Sequence, residues 1–192
     1  MTRIIAGVAR GRRLVTPKGD GTRPTSDRAR EAIFSSWSSR FGIEGTTVLD
    51  LFAGSGALGL EAASRGADEV VLVESDAAAC RAIRRNIETV GHPRVSVAEM
   101  KASTYLAGAP ADHFDRVIAD PPYDLAGEAV TEMLEALRPA LRDGAVVTVE
   151  RHSADDETVW PAGYGILEQK LKRRIHGLAR FDNAIYRRGE DR

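Results

Sequence analysis

Asp120, Pro121, Pro122 and Tyr123 form a tetrapeptide that closes the apolar run Arg116-Val117-Ile118-Ala119. The two prolines fix φ and supply no N–H donors, so the backbone there presents carbonyl oxygens. Asp120 adds acceptor oxygens, and Tyr123 offers a flat face for stacking. Together they suit a planar ring bearing an NH2 group, such as a nucleobase whose exocyclic amine must be held and made to react. A strand followed by a plain proline turn would read the same way, and the tetrapeptide alone leaves both readings open.

A second motif lies seventy residues upstream, where the apolar run Thr47-Val48-Leu49-Asp50-Leu51-Phe52-Ala53 enters Gly54-Ser55-Gly56-Ala57-Leu58-Gly59. Gly54, Gly56 and Gly59 fit G-x-G-x-x-G. Glu74, ending Val70-Val71-Leu72-Val73, lies where a ribose-binding acid is expected. Taken literally this is a dinucleotide fingerprint, but Asp50 would stand in the path of a pyrophosphate. Like charges ~4 Å apart repel by about 4 kcal/mol at an effective dielectric near 20. S-adenosylmethionine carries a sulfonium and an ammonium and no phosphate, so the same aspartate favours it. The glycines allow a ligand close to the backbone, and Glu74 remains free to hold both ribose hydroxyls.

The surrounding pattern must bring these residues together. From Thr46 onward, apolar strand runs near 47–52, 70–74, 94–98, 115–119 and 145–150 alternate with helical patterns near 57–65, 76–90 and 126–141. That alternation argues a parallel sheet covered on both faces. Gly91 stops the second of these helices. Ligands in such sheets bind beyond the carboxyl ends of the strands, and Asp50, Glu74 and Asp120 all close strands. Before Thr46, Ser26 or Asp27 caps a helix whose apolar face is Ala29, Ile33 and Trp37. The first 22 residues read as a small extended hairpin, running from Ile4-Ile5 through Gly7 to Leu14-Val15, with a loose link through Pro17, Gly19 and Gly21. Ile166–Ile175 and Arg180–Tyr186 read as a closing antiparallel hairpin around Gly177.

The run DLFAGSGALGLEA with DPPY resembles the class I S-adenosylmethionine-dependent methyltransferases that act on exocyclic amines. Two further stretches are narrower: Arg3-Ile4-Ile5-Ala6-Gly7 with Arg10-Gly11-Arg12-Arg13-Leu14, and RPTSDRAREAIF from Arg23 to Phe34. Both resemble the RsmD family, whose members methylate N2 of one guanine in bacterial 16S rRNA; the resemblance runs from Arg3 to about Tyr186. It implies an α/β fold: a doubly wound, mostly parallel seven-stranded Rossmann-like sheet with an antiparallel closing hairpin and a small N-terminal β-hairpin. Residues 1–22 would be a basic, RNA-binding extension and residues 23–192 the methyltransferase domain. S-adenosyl-L-methionine is the implied cofactor, with 16S rRNA or the small ribosomal subunit as partner.

Carried onto this sequence, the resemblance assigns cofactor contacts to Asp50, Phe52, Ala53, Gly54, Ser55, Gly56, Glu74 and Ser75, with Arg23 and Thr25 at the cofactor mouth. Related enzymes often place an acid against the adenine amine after the third strand. Here that segment reads Glu99-Met100-Lys101-Ala102-Ser103, a departure, and Met100 is assigned instead, through backbone or packing, with Ala102 as its alternative. Asp120, Pro121, Pro122 and Tyr123 form the catalytic group. Asp120 and the Pro121 carbonyl hold the two N–H groups of a weakly nucleophilic amine, and Tyr123 stacks on the base. No metal is needed, because the sulfonium is already activated.

Net charge is only −1, yet both ends are basic. Residues 1–40 hold nine Lys/Arg against three acids, and residues 170–188 hold seven against one. The assigned RNA contacts are Arg3, Arg10, Arg12, Arg13, Lys18, Arg28 and Arg30 at one end, and Lys172, Arg173 and Arg174 at the other. A single cysteine, Cys80, excludes an internal disulfide and agrees with a reducing cytoplasm. No apolar run reaches the ~20 residues of a membrane span. A soluble cytoplasmic monomer is expected, with no membrane partner. Three other readings compete: a DNA adenine N6-methyltransferase; a protein methyltransferase acting on a glutamine amide of a release factor, whose relatives resemble NPPY where this chain has Asp120; and a non-catalytic ribosome assembly or RNA-binding factor.

Overall fold

The computed structural model describes residues 2–17, 27–122, 125–167, 173–176 and 179–189, the 173–176 stretch by its backbone alone. Five parallel strands make the frame: β3 (Thr47–Leu51), β4 (Glu69–Glu74), β5 (Val95–Glu99), β6 (Phe114–Ala119) and β7 (Leu141–His152). β10 (Ala179–Tyr186) runs antiparallel to β7. Its outer edge is shared by β8 (Tyr164–Ile166) and β9 (Arg173–His176), which occupy one lane at different heights. The lane order is β5-β4-β3-β6-β7-β10-β8, with β9 also on β10. The order reverses between β3 and β6, and a crevice at the carboxyl edge is expected at such a switch point.

Side-chain alternation sorts the sheet into two faces. Val48, Val70, Leu72, Ile118 and Phe181 pack under α1 (Asp27–Arg40), α2 (Ala57–Ser64) and α3 (Ala77–Val90). Leu49, Leu51, Val71, Val73, Val117, Val147 and Val149 pack under α4 (Ala102–Ala107) and α5 (Gly127–Leu137). Both faces are covered, so the central strands read as unbroken apolar runs.

The hairpin at the start is a two-stranded ribbon, β1 (Thr2–Arg3) against β2 (Arg13–Leu14), and it belongs to the core of the first face. Ile4, Ala9 and Leu14 are buried there beside Phe34 and Leu60. α2 moors it by polar contacts. The buried Glu61 carboxylate accepts from the amides of Ile5 (2.8 Å) and Ala6 (3.0 Å). Ser64 Oγ accepts from Ala9 N (3.0 Å) and donates to the Ala6 carbonyl (2.6 Å).

Several sequence expectations are refined. The helix expected over 126–141 ends at Leu137, because Pro139 has no N–H to continue the ladder and a 3₁₀ turn follows. The strand expected at 145–150 spans Leu141–His152, with an irregular register near its start. α4 was not foreseen. The extended run expected from Ile166 to Ile175 begins with a separate strand, Tyr164–Ile166, and its last residues fall in β9; residues 168–172 and Gly177 lie outside the described residues. The first helix opens at Asp27, while Ser26 lies outside the described residues. Gly91 does terminate α3, at φ 71°.

Candidate active site

At the carboxyl edge, the chain leaves β3 through a turn that its own residues brace. Phe52 takes a left-handed conformation (φ 65°), which a residue with a Cβ adopts at a cost of about 1–3 kcal/mol. Gly54 follows at φ 57°, and a Cβ placed on it would meet no atom within 4 Å, so the turn borders open space. Gly59 serves packing instead: a Cβ there would lie 2.2 Å from Leu72 Cδ2, so only glycine lets α2 seat this closely on β4. These are the two uses of glycine that the motif implies, room for a ligand and close approach of helix to strand.

Glu74 reaches across from β4 to hold the turn. Its Oε2 accepts from Gly54 N at 2.8 Å, and its Oε1 accepts from Ser75 N (2.7 Å) and Asp76 N (2.8 Å). Met100 N donates to the Glu74 carbonyl at 2.9 Å, and the Met100 side chain is exposed beside it. Gly54, Glu74, Ser75 and Met100 are therefore brought into one cluster. Ala53 N donates to the Val73 carbonyl (2.9 Å), and Gly56 N to the Ala53 carbonyl (2.7 Å), closing the turn onto β4.

Asp50 sits beneath the turn rather than at its mouth. It is fully buried; Oδ2 accepts from Gly59 N at 2.7 Å, and Oδ1 has no partner. Burial pushes its carboxyl up to about 7; Glu74 adds to this and the Gly59 amide opposes it. A buried acid with one empty acceptor, repelled by a neighbouring carboxylate, is the arrangement a cation would relieve.

Asp120 follows β6, and its N–H donates to the Leu51 carbonyl at 3.2 Å, which joins the tetrapeptide to the end of β3. Its carboxyl lies well above the ordinary range, through burial first and then through Glu150 and Asp50. Pro121 is buried and Pro122 exposed; the Pro122 carbonyl accepts from Leu125 N at 2.9 Å. Tyr123, Arg23, Thr25, Lys18 and Lys172 lie outside the described residues, as do the side chains of Arg173 and Arg174.

Along the ribbon, Arg3, Arg10, Arg12 and Arg13 are exposed, as is Arg28 on α1. Arg3 pairs with Asp27 at 3.6 Å. Arg12 also has a fold role, since its Nη1 donates to the Thr89 (2.5 Å) and Val90 (2.8 Å) carbonyls at the end of α3. Arg30 is a correction: it is fully buried and donates through Nη2 to Asp27 Oδ1 (2.6 Å) and the Arg3 carbonyl (2.9 Å). It fastens the ribbon to α1 and is out of reach of a phosphate.

Two residues escaped the sequence reading. Glu150 is buried on β7, on the same face as Asp120, one step beyond the pairing of Ala119 with Val149. It ends a strand with a carboxylate just as Glu74 does, and that shared pattern was the available signal. Asn86 is buried on α3, a polar residue in the apolar stripe of Ile83 and Val90, and its Nδ2 donates to the Ser55 carbonyl at 2.9 Å.

With this geometry in place, the chain can be set beside known proteins. A family model described as "Conserved hypothetical protein 95" matches residues 2–178. The chain belongs to that family, the RsmD family. It is 36% identical over 169 residues to "Ribosomal RNA small subunit methyltransferase D" of Escherichia coli, covering 88% of this chain and 84% of that protein. The Haemophilus influenzae protein of the same name is 34% identical over 173 residues, covering 88% and 87%. Among solved structures, the Escherichia coli protein yhhF superposes with a TM-score of 0.80 at 31% identity, over 96% of this chain and 97% of that one. A hypothetical protein of Thermus thermophilus gives 0.76 at 30% identity, over 95% and 98%. The chain is thus an RsmD-family methyltransferase with the class I fold.

Proposed function

We propose that this RsmD-family chain transfers a methyl group from S-adenosylmethionine to the exocyclic N2 of a guanine in small-subunit rRNA. The observation that carries the reading is the junction at the carboxyl edge. Glu74 clasps the glycine turn through Gly54, and Asp120 is hung from Leu51 of the strand that feeds that turn. A cofactor seated at the turn and a base seated at Asp120 are then neighbours. The names of the relatives support rRNA as the substrate class.

The residues fit S-adenosylmethionine. Open space borders Gly54, Glu74 stands beside it for the ribose hydroxyls, and Asp50 supplies buried negative charge with an empty acceptor. The cofactor supplies an electrophilic methyl. Asp120 and the Pro121 carbonyl hold the two amine protons, which aims the nitrogen and stabilises the positive charge that grows on it. Asp120 holds its proton unusually firmly in the free protein and becomes an acceptor once cationic charge enters the site; its first duty is positioning, and the proton shed by the methylated amine passes to water, with Asp120 as second acceptor. The target guanine must be unpaired or turned out of its helix to enter.

The test supplies tritiated S-adenosylmethionine with small subunits lacking the modification, naked 16S rRNA, duplex DNA or release factor, one substrate per reaction. Label on the subunit or its rRNA, mapped to guanine N2, is the expected result. Label confined to DNA or protein, or no label anywhere, overturns it. Asp120→Ala is expected to lower transfer by at least 100-fold, in the range of a lost general acid–base or positioning group, with cofactor affinity within about threefold of wild type.

A further inference from the structure

We propose that Asn86 couples the ribbon to the cofactor turn, so that RNA held on the ribbon raises the affinity for the cofactor. The inference rests on the functional reading above and adds a link between its two binding sites.

Asn86 is fully buried on α3 and touches two backbone segments that no strand joins. Its Oδ1 accepts from Val15 N at 2.8 Å, and its Nδ2 donates to the Val15 carbonyl at 2.8 Å. The second Nδ2 hydrogen goes to the Ser55 carbonyl at 2.9 Å. The amide has only one workable orientation, since turning it over would set its oxygen against two carbonyls and its NH2 against an N–H. Both backbone groups of Val15 are therefore paired with one side chain, and that same side chain grips the middle of the glycine turn.

Each end of this bridge is placed to matter. Val15 directly follows β2 and carries the chain out of the ribbon, whose exposed Arg10 and Arg13 are the proposed phosphate contacts. Ser55 lies between Gly54 (φ 57°) and Gly56 (φ 77°), the part of the turn with the most backbone freedom. Glu61 and Ser64 also moor the ribbon, but they do so from the regular length of α2, and these bonds involve no residue of the turn. RNA that orders the ribbon and its exit fixes Val15, Val15 fixes the amide, and the amide holds Ser55. The ordering that the cofactor would otherwise impose on the turn is then already made, which is positive coupling between the sites.

The experiment measures the dissociation constant of S-adenosylhomocysteine by calorimetry, with and without saturating small-subunit 16S rRNA, on the full chain. The nonreactive homocysteine product keeps turnover out of the titration. For wild type, the expected ratio without to with RNA is about 5 to 10, at the low end of typical couplings. Asn86→Ala should bring the ratio to within about twofold of one. Val15→Pro, at an exposed position, removes the N–H that Asn86 Oδ1 accepts and sets a ring carbon against that oxygen, so it breaks the bridge at the ribbon end and should lower the ratio as well. A residue that merely supports the fold would lower stability or both affinities and leave the ratio alone. A wild-type ratio of one, or wild-type ratios in both variants, overturns the coupling while the functional reading stands. Failure of wild type to bind S-adenosylhomocysteine, or to bind both the 16S rRNA and small subunits lacking the modification, overturns the functional reading and the coupling with it.

Discussion

At the scale of single residues, Asp50 does two things that pull apart. Its Oδ2 bond to Gly59 seats α2, yet burial holds its carboxyl near pH 7 instead of the ordinary 3.8. Between those values the folded chain binds a proton that the unfolded chain has released. Stability therefore falls as pH rises from about 4 to about 7, by up to ~4 kcal/mol for this one group. Cofactor affinity should move the other way: a cation favours the ionised carboxyl, so S-adenosylmethionine should bind more tightly as pH passes 7. Asp50→Asn removes the charge and leaves a carbonyl for the Gly59 amide. Thermal denaturation of this variant should give a flatter pH profile between 4 and 7. Its S-adenosylmethionine affinity at pH 8 should drop about tenfold or more, worth 1.4 kcal/mol. Its remaining pH dependence should be shallower, carried by Asp120, whose carboxyl is also raised. A variant with wild-type cofactor affinity would leave Asp50 a purely structural acid.

At the scale of elements, the ribbon has the sequence of an appendage and the packing of a core strand pair. Its mooring predicts what happens when α2 lets go. Glu61 accepts from Ile5, Ala6 and Arg65 Nε (2.7 Å) while fully buried, and Arg65 also pairs with Glu31 at 2.5 Å. Glu61→Ala leaves two amides and a guanidinium without this acceptor, and breaking a buried pair from one side costs about 3–5 kcal/mol. The melting temperature should fall by roughly 10 °C, and amide exchange should quicken first at Ile5 and Ala6. Equal loss of protection across β3 and β4 would mean that the ribbon is no separate unit of opening. The same contacts explain what could be read in advance. The parallel strands announced themselves because burial on both faces makes each a continuous apolar run, and Glu74 and Asp120 were visible as acids ending such runs. Arg30 was misplaced because a basic residue in a basic stretch looks like surface; only the packing of α1 shows that it points inward to the Arg3 carbonyl. α4 was invisible since Ala102–Ala107 is a six-residue helix with no side-chain cap and too short for a periodic pattern. Asn86 and Glu61 could not be assigned, because their backbone partners lie 31 to 71 residues away in the chain.

For the molecule as a whole, charge favours one approach for the proposed RNA. Asp50, Glu74, Asp120 and Glu150 line the first face at the carboxyl edge, where alternation along four strands sends all four the same way. Beyond Leu125 the edge continues into a cleft of about 740 Å³ between the start of α5 and the loop after β7, lined by Glu128, Glu132, Asp155, Asp156 and Glu157, with Arg151 paired to Asp155. Phosphates are repelled along that stretch. The ribbon, moored at the far ends of α2 and α3, carries exposed Arg10 and Arg13. On the proposed reading, phosphates held by the ribbon keep the charge of the rRNA off the acidic cleft. The combined variant Arg10→Ala with Arg13→Ala measures this directly. If each arginine neutralises one phosphate of a single-stranded segment, the slope of log K against log salt should become shallower by about 1.4. Binding should weaken by a similar factor for any RNA sequence, because such contacts position the strand without reading bases. Affinity for S-adenosylhomocysteine in the absence of RNA should stay at the wild-type value. An unchanged salt slope would move the RNA path off the ribbon, and equal weakening of the cofactor would mean that these arginines shape the site rather than hold the strand.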